Sequence, residues 1–118
     1  MKKILIVEDN EMNRDMLSRR LMRKGYEVEI AVDGEDGLQH MRRDRPDIVL
    51  MDMGLPIKDG WTATAEAKSD PELNKIPIIA LTAHALEADK TRALEAGADD
   101  FDTKPVNLSS LIEKIESF

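Results

Sequence analysis

The 118-residue chain contains no cysteine, so no disulfide braces it, and at this length one domain buries a core without such help. The absence suits a reducing compartment. No apolar stretch nears the roughly 20 residues that cross a bilayer. Met1-Lys2-Lys3 is followed by only four apolar residues, too few for the core of a secretory signal. Basic residues are in deficit: 17 Lys and Arg face 24 Asp and Glu, a net charge of -7, which argues against nucleic-acid binding because that relies on cations neutralising phosphates. Acidity of this degree points to metal cations or basic partner surfaces. The basic residues that exist cluster at Arg19, Arg20, Arg23 and Lys24 and at Arg42, Arg43 and Arg45, and read as solvated helix faces. No linker, repeat or low-complexity segment interrupts the chain. A cytoplasmic, monomeric protein with one domain over residues 1–118, and no membrane contact, is the expectation.

What the chain does have is a set of short apolar runs that stop at polar residues. Ile4 to Val7 ends at Glu8 and Asp9, Ile48 to Met51 ends at Asp52, and Ile76 to Leu81 ends at Thr82. Their length and the turn residues around them predict buried strands, with Pro77 tolerated near the start of the last. Glu27 to Ala31 alternates polar and apolar, as a strand buried on one face does, and Asp99 to Thr103 is a short half-polar strand whose one large apolar residue is Phe101.

Between these runs the spacing lengthens to the helical period. Met12, Met16, Leu17 and Leu21 predict a helix from Glu11 to Lys24, with Gly25 just past its end. The turn Asp33-Gly34 precedes a helix from Glu35 to Asp44, with Leu38 and Met41 inward. Asp59-Gly60 precedes an alanine-rich helix from Trp61 to Lys68, broken by Ser69-Asp70-Pro71. Leu86 to Ala96 reads as a helix closed by Gly97. Leu108, Leu111, Ile112 and Ile115 form the apolar stripe of a last helix capped by Asn107.

Strands and helices therefore alternate, which predicts an α/β fold: a doubly wound (βα)5 arrangement with a five-stranded parallel sheet. The continuously apolar strands belong in the centre and the half-polar ones at the edges, which selects the order 2-1-3-4-5 of flavodoxin-like sheets. In that order Glu8, Asp9, Asp52, Thr82 and Lys104 converge on one edge. Three close carboxylates repel one another unless protonated or bound to a cation. Oxygen ligands and retained water favour Mg2+, with Mn2+ able to take the same place, while zinc lacks cysteine or a spaced histidine pair. Beside such a metal, Asp52 is placed to attack a phosphoryl group, with Lys104 and the Thr82 hydroxyl clamping the transferring oxygens.

These residues resemble the receiver domain of two-component response regulators along the whole chain. The resemblance is carried by Glu8-Asp9, Leu50-Met51-Asp52-Met53-Gly54-Leu55-Pro56, Asp59-Gly60, Leu81-Thr82-Ala83, Gly97-Ala98-Asp99-Asp100-Phe101 and Lys104-Pro105, in order and at receiver spacing. It implies that Asp52 is the phosphoacceptor and that Glu8, Asp9, Asp52 and the Gly54 backbone carbonyl hold Mg2+. It also implies that Thr82, Lys104 and the Ala83 backbone contact the phosphoryl group, and that Thr82 and Phe101 form the switch. The Lys104-Pro105 bond is then cis, and Gly54 and His84 are the departures that tune the lifetime of the phosphorylated state.

By the same resemblance the donor is a histidine kinase or a histidine phosphotransfer protein, docking on the first helix near Met12, Arg14 and Met16. The target is a further protein met through the fourth and fifth helices and the fifth strand, since the chain carries no output domain of its own. His40 and His84 read as surface residues outside any phosphodonor motif. Two other classes stay open. One is a binding module that works without phosphorylation. The other is a small-molecule phosphohydrolase, although Gly54 stands where haloacid-dehalogenase-like phosphatases carry a second Asp and no cap is inserted. A flavin site is disfavoured, because the third and fourth strands offer no aromatic clamp and the acids repel its phosphate.

Overall fold

The computed structural model describes residues 2–55, 57–82 and 87–118, without the side chains of residues 87–90. Five strands alternate with five helices: β1 (Lys3–Val7), α1 (Glu11–Arg23), β2 (Glu27–Ala31), α2 (Gly34–Asp44), β3 (Ile48–Asp52), α3 (Gly60–Ser69), β4 (Ile78–Thr82), α4 (Glu87–Glu95), β5 (Asp100–Thr103) and α5 (Leu108–Glu116). All pairings are parallel and the strand order is 2-1-3-4-5, as the distribution of apolar runs predicts.

The strand alternation divides the core in two. Leu5, Val7, Val49, Met51, Ile78 and Ala80 point to the face covered by α2, α3 and α4, where they meet Leu38, Met41, Ala63 and Ala67. Ile4, Ile6, Ile48, Leu50, Ile79 and Leu81 point to the other face, where Leu21 of α1 and Leu111 and Ile115 of α5 close over them. Each of these large side chains contributes about 1.5–3 kcal/mol by leaving water. That burial is why β1, β3 and β4 occupy the centre.

Capping residues set the helix starts. Asn10, Asp33, Asp59 and Asn107 each accept a hydrogen bond from a backbone N–H three residues on, which satisfies a donor the helix itself leaves unpaired. Gly60 opens α3 directly beneath the tip of β3, where a Cβ would lie 2.2 Å from the Asp52 carbonyl oxygen; only glycine permits that approach.

Three local readings differ from expectation. Pro77 lies outside β4, with its carbonyl accepting from Val49 N, because the strand begins only where an N–H becomes available at Ile78. Ile30, read as inward, is 38% exposed, because β2 is an edge strand and α1 covers only its Val28 end. His40, read as a surface residue, is half-buried among carboxylates. No helix among the described residues is long and apolar enough to cross a membrane.

Candidate functional site

Parallel strands deliver their carboxyl ends to one edge, and the polar residues that stop the apolar runs meet there. Glu8 follows β1 and is fixed by its N–H to the Ala31 carbonyl at 3.0 Å. Asp52 ends β3 and is only 8% exposed; Thr82 ends β4 and is also buried. Lys104 leaves β5 with its N–H on the Thr82 carbonyl at 2.8 Å, and the Lys104–Pro105 peptide is cis. Its Nζ lies 2.9 Å from Glu8 Oε1 and 3.3 Å from Asp52 Oδ1. Asp9 is exposed beside them, and the nearest carboxylate oxygens of Glu8, Asp9 and Asp52 all fall within 4.8 Å of one another.

The titration of these groups follows from the geometry. Burial first, and the neighbouring Asp52 carboxylate next, push Glu8 up to about 7 against the pull of Lys104. Burial also acts to raise Asp52, but its hydrogen bond with Glu8, the Lys104 charge and the Gly54 N–H outweigh it and hold Asp52 below the usual carboxylate range. For Lys104 burial works against the charged form, and the two carboxylates overcome it and raise its pKa. Asp52 is therefore the ionised member, the state a nucleophile needs.

The residues fit a hard divalent cation. Three carboxylates share a space of one ion's dimensions, and Glu8 Oε2 is a buried oxygen with no hydrogen-bond partner among the described residues. Gly54 donates its N–H to Asp52 Oδ1 at 3.2 Å, and a side chain added there would meet nothing within 4 Å. Ala83 and His84 lie outside the described residues.

Phe101 is half-buried on β5 against the core, and Lys114 of α5 both donates to its carbonyl at 2.6 Å and lies 5.4 Å from its ring centre. Neither this clamp nor the role of Arg14 was visible in the sequence. The Arg14 guanidinium turns back on the carbonyls of Glu8 and Asp9, at 3.1 and 3.4 Å, and braces the β1–α1 turn. Long side chains of this kind leave no periodic signal. Met12, 74% exposed, and Met16 remain on the outer face of α1. Beside them a groove of about 530 Å3 runs between Asn13, Met16 and Arg20 of α1 and Lys104, Pro105 and Val106, reaching Glu8 at one end.

The sequence matches the response regulator receiver domain over residues 4–116. It is 38% identical over 117 residues to the polar-differentiation response regulator DivK of Brucella anthropi, covering 99% of this chain and 95% of that one. It is 39% identical over 115 residues to the response regulator PleD of Caulobacter vibrioides, covering 98% of this chain and 25% of that protein. The chain thus spans about a quarter or less of the longer curated relatives it matches.

Among solved structures, a putative response regulator from Chloroflexus aurantiacus superposes with a TM-score of 0.94 at 34% identity, covering 98% of this chain and 95% of that one. The receiver domain of the sensor histidine kinase PA1611 from Pseudomonas aeruginosa, which holds a magnesium ion in its active-site cleft, gives 0.91 at 37% identity with the same coverage. The Saccharomyces cerevisiae receiver domain of Ssk1, solved with the histidine phosphotransfer protein Ypd1, gives 0.91 at 31% identity over 97% of this chain and 86% of that one. With the acidic edge, the lysine and the strand order all in place, the chain belongs to the response regulator receiver domains, the signalling modules of two-component phosphorelays.

Proposed function

We propose that this domain, spanning residues 1–118, is a phosphoacceptor switch in which Asp52 receives a phosphoryl group from a phosphohistidine. The donor is a histidine kinase or a histidine phosphotransfer protein. One observation carries the proposal: Asp52 is an ionised carboxylate at a strand tip, 3.3 Å from a lysine ammonium and inside a ring of acids. In the transfer one Asp52 oxygen forms the bond to phosphorus while the bond from phosphorus to the donor imidazole nitrogen breaks, and the freed imidazole takes a proton.

Lys104 shifts from the carboxylates to the incoming phosphoryl oxygens, and the Thr82 hydroxyl donates to another of them. Glu8, Asp9, Asp52 and the Gly54 carbonyl are the groups that would hold Mg2+, which when bound neutralises charge on those oxygens. The magnesium in the PA1611 receiver supports that choice of ion. Hydrolysis of the acyl phosphate returns the domain to its first state. Gly54 leaves room beside Asp52 for water, so side chains larger than hydrogen at that position lengthen the lifetime of the mark.

The donor docks on α1 and the adjoining groove, where the exposed Met12 and Met16 offer apolar surface beside the acidic edge; the Ypd1–Ssk1 complex supports a phosphotransfer protein as such a partner. Met12→Asp with Met16→Asp then slows transfer from the cognate donor while leaving labelling by acetyl phosphate intact. Equal slowing of both would overturn the docking assignment. On the output side, Phe101 repacks when Thr82 moves toward the phosphoryl group and changes the surface around β5 that a downstream protein reads. Labelling by acetyl phosphate, followed as the mass of one added phosphoryl group, tests the whole scheme: it requires Mg2+ and is abolished in Asp52→Asn. Undiminished labelling of that variant would sink it.

A further inference from the structure

A second group of potential ligands lies at the β2 edge of the sheet. The carboxylates of Glu29 on β2 and Asp44 on α2 approach one imidazole, that of His40, and the nearest donor atoms of the three residues lie within 4.8 Å of one another. We propose that Glu29, His40 and Asp44 form a binding site for a divalent transition metal of tetrahedral preference, Zn2+ foremost, separate from the acidic edge that carries Asp52.

The distances support a tetrahedral ion. His40 Nδ1 is 3.2 Å from Asp44 Oδ2 and 3.6 Å from Glu29 Oε2. Two metal–donor bonds of about 2.0–2.1 Å at a tetrahedral angle set their donors roughly 3.3–3.4 Å apart. The observed separations straddle that value, so an ion enters with shifts of a few tenths of an ångström. One imidazole nitrogen and two carboxylates leave a fourth position for water. This mixed N/O set suits Zn2+ better than Mg2+, which prefers oxygen and octahedral geometry.

The far side of the imidazole is arranged in the same sense. His40 Nε2 faces Asp36 Oδ1 at 3.6 Å, and Asp36 is itself held, its other oxygen accepting from Val32 N at 3.0 Å. At that separation Asp36 faces the distal nitrogen without a hydrogen bond, and its negative charge favours the tautomer with the proton on Nε2, which leaves the Nδ1 lone pair for a metal. Glu29 Oε2 supplies a further sign: the atom is shielded from solvent and has no hydrogen-bond partner among the described residues, although the Glu29 side chain as a whole is 29% exposed. A proton on Nδ1 would serve Asp44 and still leave Glu29 Oε2, at 3.6 Å, beyond hydrogen-bond reach. A single cation between them serves all three.

Two positive side chains border the site. Lys3 Nζ is 4.0 Å from the other Glu29 oxygen and 3.4 Å from the Asp44 carbonyl, so it stays in place beside a metal. Arg43 is the competitor: its NH2 lies 3.0 Å from His40 Nδ1 and 3.1 Å from Asp44 Oδ2. Its side chain is 66% exposed, and it can swing into solvent without disturbing packing. The acidic edge is out of reach, since Glu29 pairs in register with Leu5, three residues and about 10 Å along β1 from Glu8.

The test titrates the whole chain with zinc chloride in saturating Mg2+, which occupies the acidic edge, and reads heat together with the ring nitrogens of His40 by long-range proton–nitrogen NMR. One equivalent of Zn2+ is expected to bind and to shift Nδ1 while Nε2 keeps its proton. His40→Gln and Asp44→Asn should each weaken binding by about 10-fold or more. Asp52→Asn should leave it unchanged, and His40→Gln should leave acetyl phosphate labelling unchanged. Zinc binding that survives both His40→Gln and Asp44→Asn, or that disappears in Asp52→Asn, overturns the assignment. So does a His40 ring that is doubly protonated at neutral pH and indifferent to Zn2+, for the cluster is then an imidazolium held among carboxylates and nothing more.

Discussion

Among the described residues, two sets of three carboxylates each gather beside one basic side chain, and they are built in opposite ways. At the acidic edge, Glu8, Asp9 and Asp52 come from two strand tips and Lys104 arrives from a third, 96 residues along the chain from Glu8. At the β2 edge, Asp36 and Asp44 are one helical turn either side of His40, and only Glu29 comes from another element. In the first set Glu8 and Asp52 are buried, Asp9 is exposed, and Lys104 is the one cation paired with the two buried carboxylates among the described residues. The second is half-exposed and has Arg43 and Lys3 as local partners. Buried charges with too few partners are costly, and in the function proposed above that cost is what a bound cation would relieve at the acidic edge.

The largest effect expected from this contrast is at Lys104. Lys104→Ala removes the only cation within salt-bridge distance of Asp52 among the described residues and should cut acetyl phosphate labelling by about 10²-fold or more, measured as an initial rate in saturating Mg2+. Arg43→Ala, which removes a cation from the other set, should leave that rate unchanged. Equal losses would erase the distinction between the two clusters.

The second effect is on pH dependence. Glu8 titrates at about 7 in the fold against an ordinary value of 4.5, so between those values the native state holds more protons than the unfolded chain. Stability in EDTA therefore falls as pH rises through that window, by on the order of 1–3 kcal/mol. Asp52, shifted the other way, acts only below the ordinary carboxylate range. Thermal unfolding between pH 5 and 8 should show the decline in EDTA, should lose it in Glu8→Gln, and should show it reduced by Mg2+, which favours the ionised ligands.

Backbone strain sharpens the comparison further, because a residue with positive φ follows each cluster. Ile57 has φ 65° and is 87% exposed, so its β-branched side chain gains nothing from burial there; Ile57→Gly should stabilise the protein by about 1 kcal/mol. Arg45, φ 49°, closes α2 just after Asp44, and Arg45→Gly should gain less, since it forfeits the hydrogen bond to the Glu72 carbonyl at 3.0 Å. Chemical denaturation measures both. The smallest change is Asp9→Asn: with Asp9 exposed, relief of repulsion in EDTA should amount to a few tenths of a kcal/mol, with a matching loss of stabilisation by Mg2+.

The two clusters also differ in how far the sequence discloses them. Ile4 to Val7 and Ile48 to Met51 are uninterrupted apolar runs, so their central placement and the convergence of Glu8 and Asp52 on one edge follow from pattern alone. Once the strand order is set, Lys104 must arrive at the same edge. His40 gives no such signal. A search for zinc through paired histidines passes over it, because its carboxylate partners at offsets of four look like ordinary helix surface and Glu29 joins them only when α2 packs against β2. Pro77 and Ile30 were misread for a related reason: an apolar run states that residues are buried or alternating, not where hydrogen bonding begins or which helix covers the strand end. Arg14, expected to face a docking partner, turns back on the β1–α1 turn, where the Glu8 and Asp9 carbonyls accept from its guanidinium.

The account turns on Asp52 as the one acceptor. Intact and peptide mass spectrometry of the wild-type chain after incubation with acetyl phosphate tests it most directly, with Asp52→Asn as control. The expected result is a single phosphoryl group on the peptide containing Asp52, present with Mg2+, absent in EDTA and absent in Asp52→Asn. A phosphoryl group found on another residue, or at Asp52 in equal yield without metal, would contradict it.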